Sequence, residues 1–430
     1  MLERLFKLEE NGTTVRREII GGVTTFLTMA YIIFVNPAIL SDAGMDFGGV
    51  FVATCLAAAI GTAIMGFWAN YPIAMAPGMG LNAFFTYGVV LGMGYAWQVA
   101  LGMVFVSGIV FVIISVLPIR EWIINAIPRS LKMATAAGIG LFLGIIAMKN
   151  AGIVVDNPAT LVGLGDVTQW TVILAIVGFI IIAALDALKI PGSIILGILA
   201  VTVLGIILGV SEFKGVADLP PDPGTVMFQL QIPDLLNLAI VGIVFAFLFT
   251  DLFDTTGTLI GVAHRAGLLD KDGKLPRLQR ALVADSTATV IGAAAGTSPV
   301  TCYIESASGV RAGGRTGLTA VVVAILFLLA LFLSPLADTI PAYATAPALL
   351  FVACLMAQGI TEVDWEDVTE YVPAVVLAMT MPFTFSITDG LAFGFITYAA
   401  IKLLSGRFGE AKPAVLVLAA LFIAKYAWLG

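Results

Sequence analysis

Long apolar runs separated by short polar connections extend over almost the whole chain. Most runs have the length of about 20 residues, or slightly less, that an α-helix needs to cross the hydrocarbon core of a bilayer. In the first half they lie at residues 19–40, 50–68, 97–117, 133–148, 170–188 and 190–210. In the second half they lie at residues 236–257, 281–295, 318–336, 344–356, 372–385 and 390–404. The pattern predicts an all-α polytopic membrane protein.

Two further apolar segments are interrupted by glycine and proline, and each is the third segment of its half. Residues 71–92 contain Pro77, Gly78 and Gly80, and residues 296–317 are broken by Gly, Ser and Pro. Such a segment is partly extended and partly helical, which a membrane tolerates only inside the protein. Broken helices at matching positions are typical of transporters built from inverted repeats. We therefore expect fourteen spans in two inverted sets of seven, with short extended pieces in the third and tenth.

Composition narrows the class of protein and its partners. Hydrophobic residues make up 60% of the 430 residues and charged residues 11%, so water would not solvate this chain. A net charge of −7 without a run of basic residues argues against nucleic acid as a partner. Three cysteines without a close pair and a single histidine argue against a disulfide framework, a metal site or haem. We expect a lipid bilayer as the surroundings and no cofactor.

The distribution of Lys and Arg predicts the orientation of the chain. Cytoplasmic loops carry an excess of basic residues, and a cytoplasmic N-terminus places most of them on one side. That side receives Arg120, Arg129, Lys132, Lys189, Arg265, Lys271, Lys274, Arg277, Arg280, Arg311, Arg315, Arg407 and Lys412. The opposite side receives mainly Lys149 and Lys214. We expect a multi-pass protein of the plasma (inner) membrane with its N-terminus in the cytoplasm.

Both ends of the chain lie outside this pattern of spans. Residues 1–18 mix charges and lack the apolar core of a removable signal peptide, so we interpret them as a cytoplasmic lead-in. Residues 414–429 are apolar but contain Lys425, which leaves open an interfacial helix or an extra span.

A polar stripe lies on the first apolar run of the second half. Asp251, Asp254, Thr255 and Thr258 follow one another at helical spacings i, i+3, i+4 and i+7 and so share one face. Each charged Asp at the centre of a membrane helix would cost roughly 2.5–3.5 kcal/mol, so the stripe should face protein or a water-filled cavity. A role in capping or in hydrogen bonds between helices is the alternative to a functional one.

The two broken segments carry the other candidate site residues. Glu305 follows an extended piece, and its carboxylate can accept hydrogen bonds from the N–H groups of a ligand or carry a proton. Asn82 offers a donor and an acceptor to a planar heterocycle. The alternatives are a Glu305 held by backbone donors of its own segment and an Asn82 that caps a helix after Gly80. The glycines near Gly313 lack the Lys of a phosphate-binding loop, which argues against an ATP-driven pump.

Three segments carry a resemblance to a known family. They are PGMGLNAFFTYG at 77–88, FTDLFDTTGTLIG at 249–261 and GTSPVTCYIESASGVRAGGRTGLTA at 296–320. They resemble the signature segments of the azaguanine-type (hypoxanthine/adenine/guanine) purine permeases, a branch of the nucleobase/ascorbate transporter superfamily. The resemblance implies fourteen spans in two inverted repeats, a core and a gate domain, and proton-coupled uptake of hypoxanthine, adenine or guanine.

The resemblance also implies roles for individual residues. Asn82, Asp251 and Glu305 match the family positions that contact the purine, and Asp254 matches a supporting acid. Glu305, Asp251 and Asp254 are then the candidates for proton coupling. Relatives in the superfamily are dimers, so a homodimer is implied, although the residues themselves neither support nor contradict it. Pro299 and Cys302 depart from the small or hydroxylic residues expected there, which leaves the preferred purine open.

The implied domains divide the chain as follows. The cytoplasmic lead-in is 1–18, the core domain is 19–132 with 235–336, the gate domain is 133–210 with 337–406, an extracytoplasmic linker is 211–234, and the tail is 407–430.

We therefore expect a secondary active transporter, not an enzyme, that moves purine nucleobases with protons by an elevator-type alternating-access movement. A sodium-coupled nucleobase carrier or an anion carrier on the same fold is the nearest alternative, with Asp251 and the threonine hydroxyls holding the ion. A channel, or an intramembrane hydrolase using Asp251 and Glu305, is more remote because the duplicated broken segments indicate alternating access.

Overall fold

The computed structural model describes residues 2–117, 127–234, 237–269 and 275–429. Three of the basic residues used for the orientation, Arg120, Lys271 and Lys274, lie outside these ranges, as does the expected domain boundary at residue 235. The described chain is predominantly helical, and it contains four short strands.

The first half contains nine described helices. They are α1 (Leu2–Phe6), α2 (Val15–Met29), α3 (Ile32–Asp42), α4 (Phe47–Ile64), α5 (Met79–Ala83), α6 (Trp97–Val116), α7 (Arg129–Asn150), α8 (Trp170–Ala187) and α9 (Ser193–Ile207). Single π-helical stretches extend α4 at Met65–Ala69 and α5 at Phe84–Gly92, and a 3₁₀ turn lies at Pro223–Thr225. The strands are β1 (Met75–Pro77), β2 (Val154–Asn157) and β3 (Leu161–Leu164).

The second half contains strand β4 (Val300–Cys302) and nine more described helices. They are α10 (Leu238–Ala266), α11 (Leu278–Ala295), α12 (Ser306–Arg311), α13 (Gly317–Ala330), α14 (Ser334–Thr339), α15 (Ala342–Ala357), α16 (Val368–Thr384), α17 (Ile387–Leu404) and α18 (Pro413–Leu429). Further 3₁₀ turns lie at Leu331–Leu333 and Gln358–Glu362.

Every unbroken apolar run contains a helix, and the chain is a helical polytopic membrane protein. Within the described ranges, nine helical stretches are long and apolar enough to cross a membrane, and four shorter apolar helices accompany them. Residues 414–429 fall in α18, one of the shorter ones. The all-α expectation misses the connection between α7 and α8, where β2 and β3 form a hairpin that pairs Val154 with Leu164.

The two broken segments meet each other. Strand β1 pairs antiparallel with β4, so that Met75 lies opposite Cys302 and Pro77 opposite Val300. The pairing continues beyond the strands, because the Gly78 N–H donates to the carbonyl of Pro299 at 2.9 Å. Extended backbone inside a membrane protein needs such partners, since lipid offers none. Each strand therefore satisfies the other, and a helix follows each one.

The helices form two groups that pack mainly within themselves. In the first group α13 packs on α2 and α4, and α11 packs on α4 and α6. In the second group α7 packs on α15 and α16, α8 on α9 and α15, and α17 on α16 and α18. The groups touch through fewer contacts, among them α5 with α7 and α10 with α17.

Small residues bring α2 and α12 into direct backbone contact. A Cβ atom at Gly309 would stand 2.0 Å from the hydroxyl of Thr25 and 2.3 Å from the carbonyl oxygen of Gly21. A Cβ at Gly21 would stand 2.9 Å from the backbone of Gly314. Close packing of this kind is the usual way that membrane helices associate, because lipid is as apolar as the helix surface. It fixes α12, and hence the residue before it, against α2.

A buried carboxylate joins the same two parts of the chain. Glu18 on α2 is fully buried and accepts hydrogen bonds from the hydroxyls of Thr13, Thr316 and Thr319 at 2.7–2.8 Å. The backbone N–H of Arg315 also donates to it, at 2.9 Å. Because Arg315 and Thr316 precede α13 and Thr319 lies in its first turn, the negative charge lies at a helix N-terminus, where it is stabilising.

We expect Gly309→Ala to lower the thermal unfolding midpoint of the purified protein. The added methyl group has no room against Thr25 and Gly21, and overpacking costs about 1–3 kcal/mol. Gly242→Ala on α10 is the matched control, because a Cβ atom there would stand 4.0 Å from the side chain of Thr388 and alanine favours a helix. An unchanged midpoint for Gly309→Ala would contradict the close contact.

Candidate functional site

Glu305 lies immediately before α12 and is held by a residue of the first membrane segment. The hydroxyl of Tyr31 donates to Glu305 Oε1 at 2.6 Å. Tyr31 occupies the junction between α2 and α3 and is 1% exposed, whereas Glu305 is only partly buried. Within the described residues no side chain hydrogen-bonds the second carboxylate oxygen, Oε2. The carboxyl group is thus oriented by one oxygen and available through the other.

Asn82 lies on α5 in the other broken segment and is completely buried. Its Nδ2 group donates to Oδ1 of Asn36 at 3.1 Å, and its own Oδ1 has no hydrogen-bond partner. Gly78 is the N-cap residue of α5, and no side-chain hydrogen bond caps the helix there. Asn82 lies inside the helix, near its C-terminal end. The capping alternative for Asn82 is therefore wrong. Its unpaired oxygen is an acceptor for which the protein supplies no donor.

Asn36 connects Asn82 to helix α4 and to the stretch of chain before β4. Its Nδ2 group donates to the hydroxyls of Thr54 at 2.7 Å and Thr297 at 2.8 Å, and its Oδ1 accepts from Ser298 at 3.3 Å. All of these side chains are fully buried. Since buried polar groups are stable only when paired, this network fixes the orientation of the Asn82 amide.

Asp251 lies on α10 and is hydrogen-bonded to the neighbouring helix α11. It is 2% exposed, and its Oδ2 accepts a hydrogen bond from Thr289 on α11 at 2.9 Å. Its Oδ1 has no partner. The alternative interpretation of Asp251, a hydrogen bond between helices, is therefore confirmed. This bond uses only one of the two carboxylate oxygens.

Asp254 and Glu305 lie close together. Asp254 interacts electrostatically with Glu305, Tyr31 and Tyr303. Asp254 itself is exposed. The next residue of the stripe, Thr255, is buried and exchanges a hydrogen bond of 2.8 Å with Thr301 in β4. Of the two aspartates on α10, Asp254 is therefore the one that accompanies Glu305.

The sequence interpretation missed Asp285, Tyr31 and Asn36. Asp285 lies on α11, is fully buried, and neither of its carboxylate oxygens has a hydrogen-bond partner. It interacts electrostatically with Asp251 and Asp254. An ionisable residue inside the apolar run 281–295 was a signal that could have identified Asp285. Tyr31 and Asn36 carried no comparable signal, because uncharged polar residues are common in membrane helices.

A second acidic cluster lies at the ends of α16 and α17. The carboxylates of Asp367, Glu370 and Glu410 are close enough to hold a metal ion. Two cations already neutralise them: buried Lys402 lies 2.8 Å from Glu370 and 2.6 Å from Glu410, and Arg407 lies 2.5 Å from Asp367. This cluster has the ion pairs expected of a structural junction between helices.

Comparisons with known proteins identify permeases as relatives of this chain. The profile of the Permease family matches residues 16–393. The adenine permease of Escherichia coli (strain K12) is 50% identical over 429 residues, which cover 100% of this chain and 96% of the relative. The guanine/hypoxanthine permease of Bacillus subtilis (strain 168) is 45% identical over 442 residues, which cover 100% of both chains.

One solved structure is similar over most of the chain. The transmembrane domain of a cyanobacterium bicarbonate transporter matches with a TM-score of 0.63, covering 88% of this chain and 97% of that one. The two sequences are 15% identical, so the match concerns the fold alone.

We expect Asn36→Leu to destabilise the protein more than Thr54→Val does. Leucine removes the partner of Asn82, Thr297 and Ser298 as well as Thr54, and each buried polar group left unpaired costs about 1–3 kcal/mol. Thermal unfolding of the two purified variants measures the difference. Equal midpoints would contradict the network.

Proposed function

The chain belongs to the Permease family, and from this premise we propose that it is a secondary active transporter that moves purine nucleobases across the membrane together with protons. The substrates are hypoxanthine, adenine and guanine. The similarity over full length to permeases named for adenine and for guanine/hypoxanthine supports the substrate class. Transport, rather than catalysis, is what the relatives are named for.

The observation that carries the proposal is the set of unpaired oxygens on Asn82, Asp251 and Glu305. Asn82 and Asp251 each have one buried oxygen without a partner among the described residues, and the Glu305 carboxylate accepts hydrogen bonds from Tyr31 and from its own backbone N–H. The edge of a purine presents N–H donors next to ring nitrogens and carbonyl oxygens, so it can supply the missing donors. Asn82 is fully buried in this structure. A purine can therefore reach its amide oxygen only when the two helix groups move apart.

The same proposal includes the architecture of an alternating-access transporter. Fourteen spans in two inverted repeats would relate the third segment to the tenth, and the antiparallel pairing of β1 with β4 supports this relation. The two groups of packed helices support a core domain at 19–132 and 235–336 and a gate domain at 133–210 and 337–406. An elevator-type movement slides the first group along the second.

Protons are the proposed coupling ions, and Glu305, Asp251 and Asp254 are their proposed carriers. Asp254 lies near Glu305, no cation among the described residues neutralises these two acids, and like charges in a low dielectric repel strongly. Binding of a proton removes this repulsion. The proposal places the protein in the plasma (inner) membrane with its N-terminus in the cytoplasm, and as a homodimer.

We expect Glu305→Gln, reconstituted in proteoliposomes, to lose at least tenfold in its affinity for labelled hypoxanthine. Glutamine keeps the size of the side chain but replaces a charged acceptor by a neutral amide, and hydrogen bonds to charged groups contribute about 1.5–3 kcal/mol. Arg129→Gln is the control, because Arg129 is exposed and pairs with Glu362, which is exposed as well. Uptake by Glu305→Gln with unchanged affinity and proton dependence would contradict the assignment.

The coupling ion is tested with imposed gradients. We expect an inward proton gradient to drive accumulation and a sodium gradient to leave it unchanged. The reverse result would favour the sodium-coupled carrier. A panel of hypoxanthine, adenine, guanine, xanthine and uracil as competitors identifies the preferred base, and failure of every purine to compete would contradict the proposed substrate class.

We expect Tyr31→Phe to weaken nucleobase binding about five- to tenfold. The variant removes the hydrogen bond of 2.6 Å that orients Glu305, and a hydrogen bond to a carboxylate contributes about 1.5–3 kcal/mol, part of which reorientation recovers. Tyr426→Phe, on the tail helix α18, removes a similar hydrogen bond of 2.5 Å from a tyrosine to the carboxylate of Asp389 on α17. This variant should bind the nucleobase as the unmodified protein does. Equal affinities for both variants would exclude a positioning role of Tyr31.

A further inference from the structure

We infer that Asp42, Tyr87 and Asn150 form a latch that closes the extracytoplasmic end of the protein by joining the first group of helices to the second. The inference rests on the proposed transport function and deepens it, because it names residues that the alternating-access movement must separate in every cycle.

The latch joins the ends of three segments. Asp42 is the last residue of α3, Tyr87 lies in the π-helical stretch that extends α5, and Asn150 is the last residue of α7. The Tyr87 hydroxyl donates to Asp42 Oδ2 at 2.6 Å, and Asn150 Nδ2 donates to the Tyr87 hydroxyl oxygen at 3.1 Å. Helix α3 packs on α4 and α5 in the first group, whereas α7 belongs to the second. The bond from Asn150 therefore crosses between the groups.

The chemistry of the three side chains fixes the direction of both hydrogen bonds. A carboxylate only accepts, so the hydroxyl hydrogen of Tyr87 is directed to Asp42 and the lone pairs of its oxygen remain for Asn150. The amide of Asn150 must then present its N–H group. Because a hydrogen bond to a charged acceptor strengthens the next bond in the chain, Asp42 is a positioning residue for the contact that Asn150 makes.

Close packing seals the interface beside the latch. A Cβ atom at Gly80 on α5 would stand 2.3 Å from Cγ2 of Ile139 on α7. A Cβ atom at Gly88, next to Tyr87, would stand 3.3 Å from the carbonyl oxygen of Phe385, which follows α16. Both contacts join the third segment to the second group of helices. The third segment is thus closed against this group from its short helix to its outer end.

The opposite end of the molecule is open beside α10. Asp254 and Gly257 are exposed, and no described atom would lie within 4 Å of a Cβ atom at Gly257. These residues lie in the second half of α10, toward the cytoplasm in the proposed orientation. In the same orientation α3, the third segment and α7 all run outward, which places the latch at the extracytoplasmic end. A closed outer end with an open inner end is an inward-facing state.

The latch stabilises this state against its outward-facing counterpart. A movement that opens the outer end must break the bond between Asn150 and Tyr87, because the two residues belong to different groups. Asp42 is exposed and Tyr87 and Asn150 are half-buried, so water competes for the bond and its contribution is modest. A typical net contribution of one hydrogen bond corresponds to a shift of roughly three- to tenfold between the two states.

Cysteine labelling tests the latch without requiring transport. Ile139→Cys places a reporter thiol at the sealed interface, where Ile139 is 3% exposed. Cys354→Ser removes the exposed native thiol, and Cys55 and Cys302 are buried. A membrane-impermeant maleimide, added to the extracytoplasmic face of sealed vesicles, then reports how often this end opens. In this background we expect Asn150→Ala to raise the labelling rate at least threefold, because the bond between the groups is lost.

An isosteric variant and two controls separate the latch from general loosening. Asn150→Asp keeps the size of the side chain but brings a second carboxylate toward Asp42, so its labelling rate should rise at least as much. Asn157→Ala removes only the acceptor of the Ala159 N–H in the β2–β3 turn. Tyr343→Phe removes a hydroxyl that donates to Ser211 at 3.1 Å. Both controls should keep the unmodified rate.

The other results overturn the latch or its placement. Unchanged labelling in both Asn150 variants, with unfolding midpoints near that of the unmodified protein, would overturn it, and so would an equal rise in the two controls. A rise found only with the reagent on the opposite face would overturn the extracytoplasmic placement. Exchange of labelled for unlabelled hypoxanthine in the same vesicles tests the proposed function separately. If the unmodified protein exchanged no purine, that function would be rejected, and the labelling rates would still decide the latch.

Discussion

Backbone N–H and C=O groups cannot remain unpaired inside a bilayer, and the structure of this protein depends on how its two extended pieces meet that constraint. Strands β1 and β4 pair with each other across more than two hundred residues of sequence, from Met75–Cys302 to Pro77–Val300. Because a helix follows each strand directly, the pairing also places Asn82 and Glu305 near the same crossing point. These candidate site residues are thus positioned by a backbone requirement.

The first membrane segment makes hydrogen bonds to both broken segments. Tyr31 bonds to Glu305 and Asn36 bonds to Asn82, five residues apart on the same stretch of chain. The glycine contact between α2 and α12 and the buried Glu18 at the start of α13 fix the same segment to the second half. A rigid frame therefore surrounds the broken segments, which suits a domain that moves as one body.

The acids of the protein fall into groups with different surroundings. Asp367, Glu370 and Glu410 are neutralised by Lys402 and Arg407 and join helices. Asp254 is exposed and lies near the half-buried Glu305, whereas Asp251 and Asp285 are buried. These last two groups are carboxylates that no cation among the described residues neutralises.

The sequence by itself determined the apolar helices and the two broken segments, because hydrophobic runs and helix-breaking residues are local signals. Its three signature segments indicated the family and the candidates Asn82, Asp251 and Glu305. Only the tertiary structure decided that β1 pairs with β4, that Asp254 rather than Asp251 lies beside Glu305, and that Asp285 faces Asp251. The reason is that almost every position of a membrane helix is apolar. The sequence pattern then carries little information on which face meets which neighbour, and contacts such as Tyr31 with Glu305 join residues 274 positions apart.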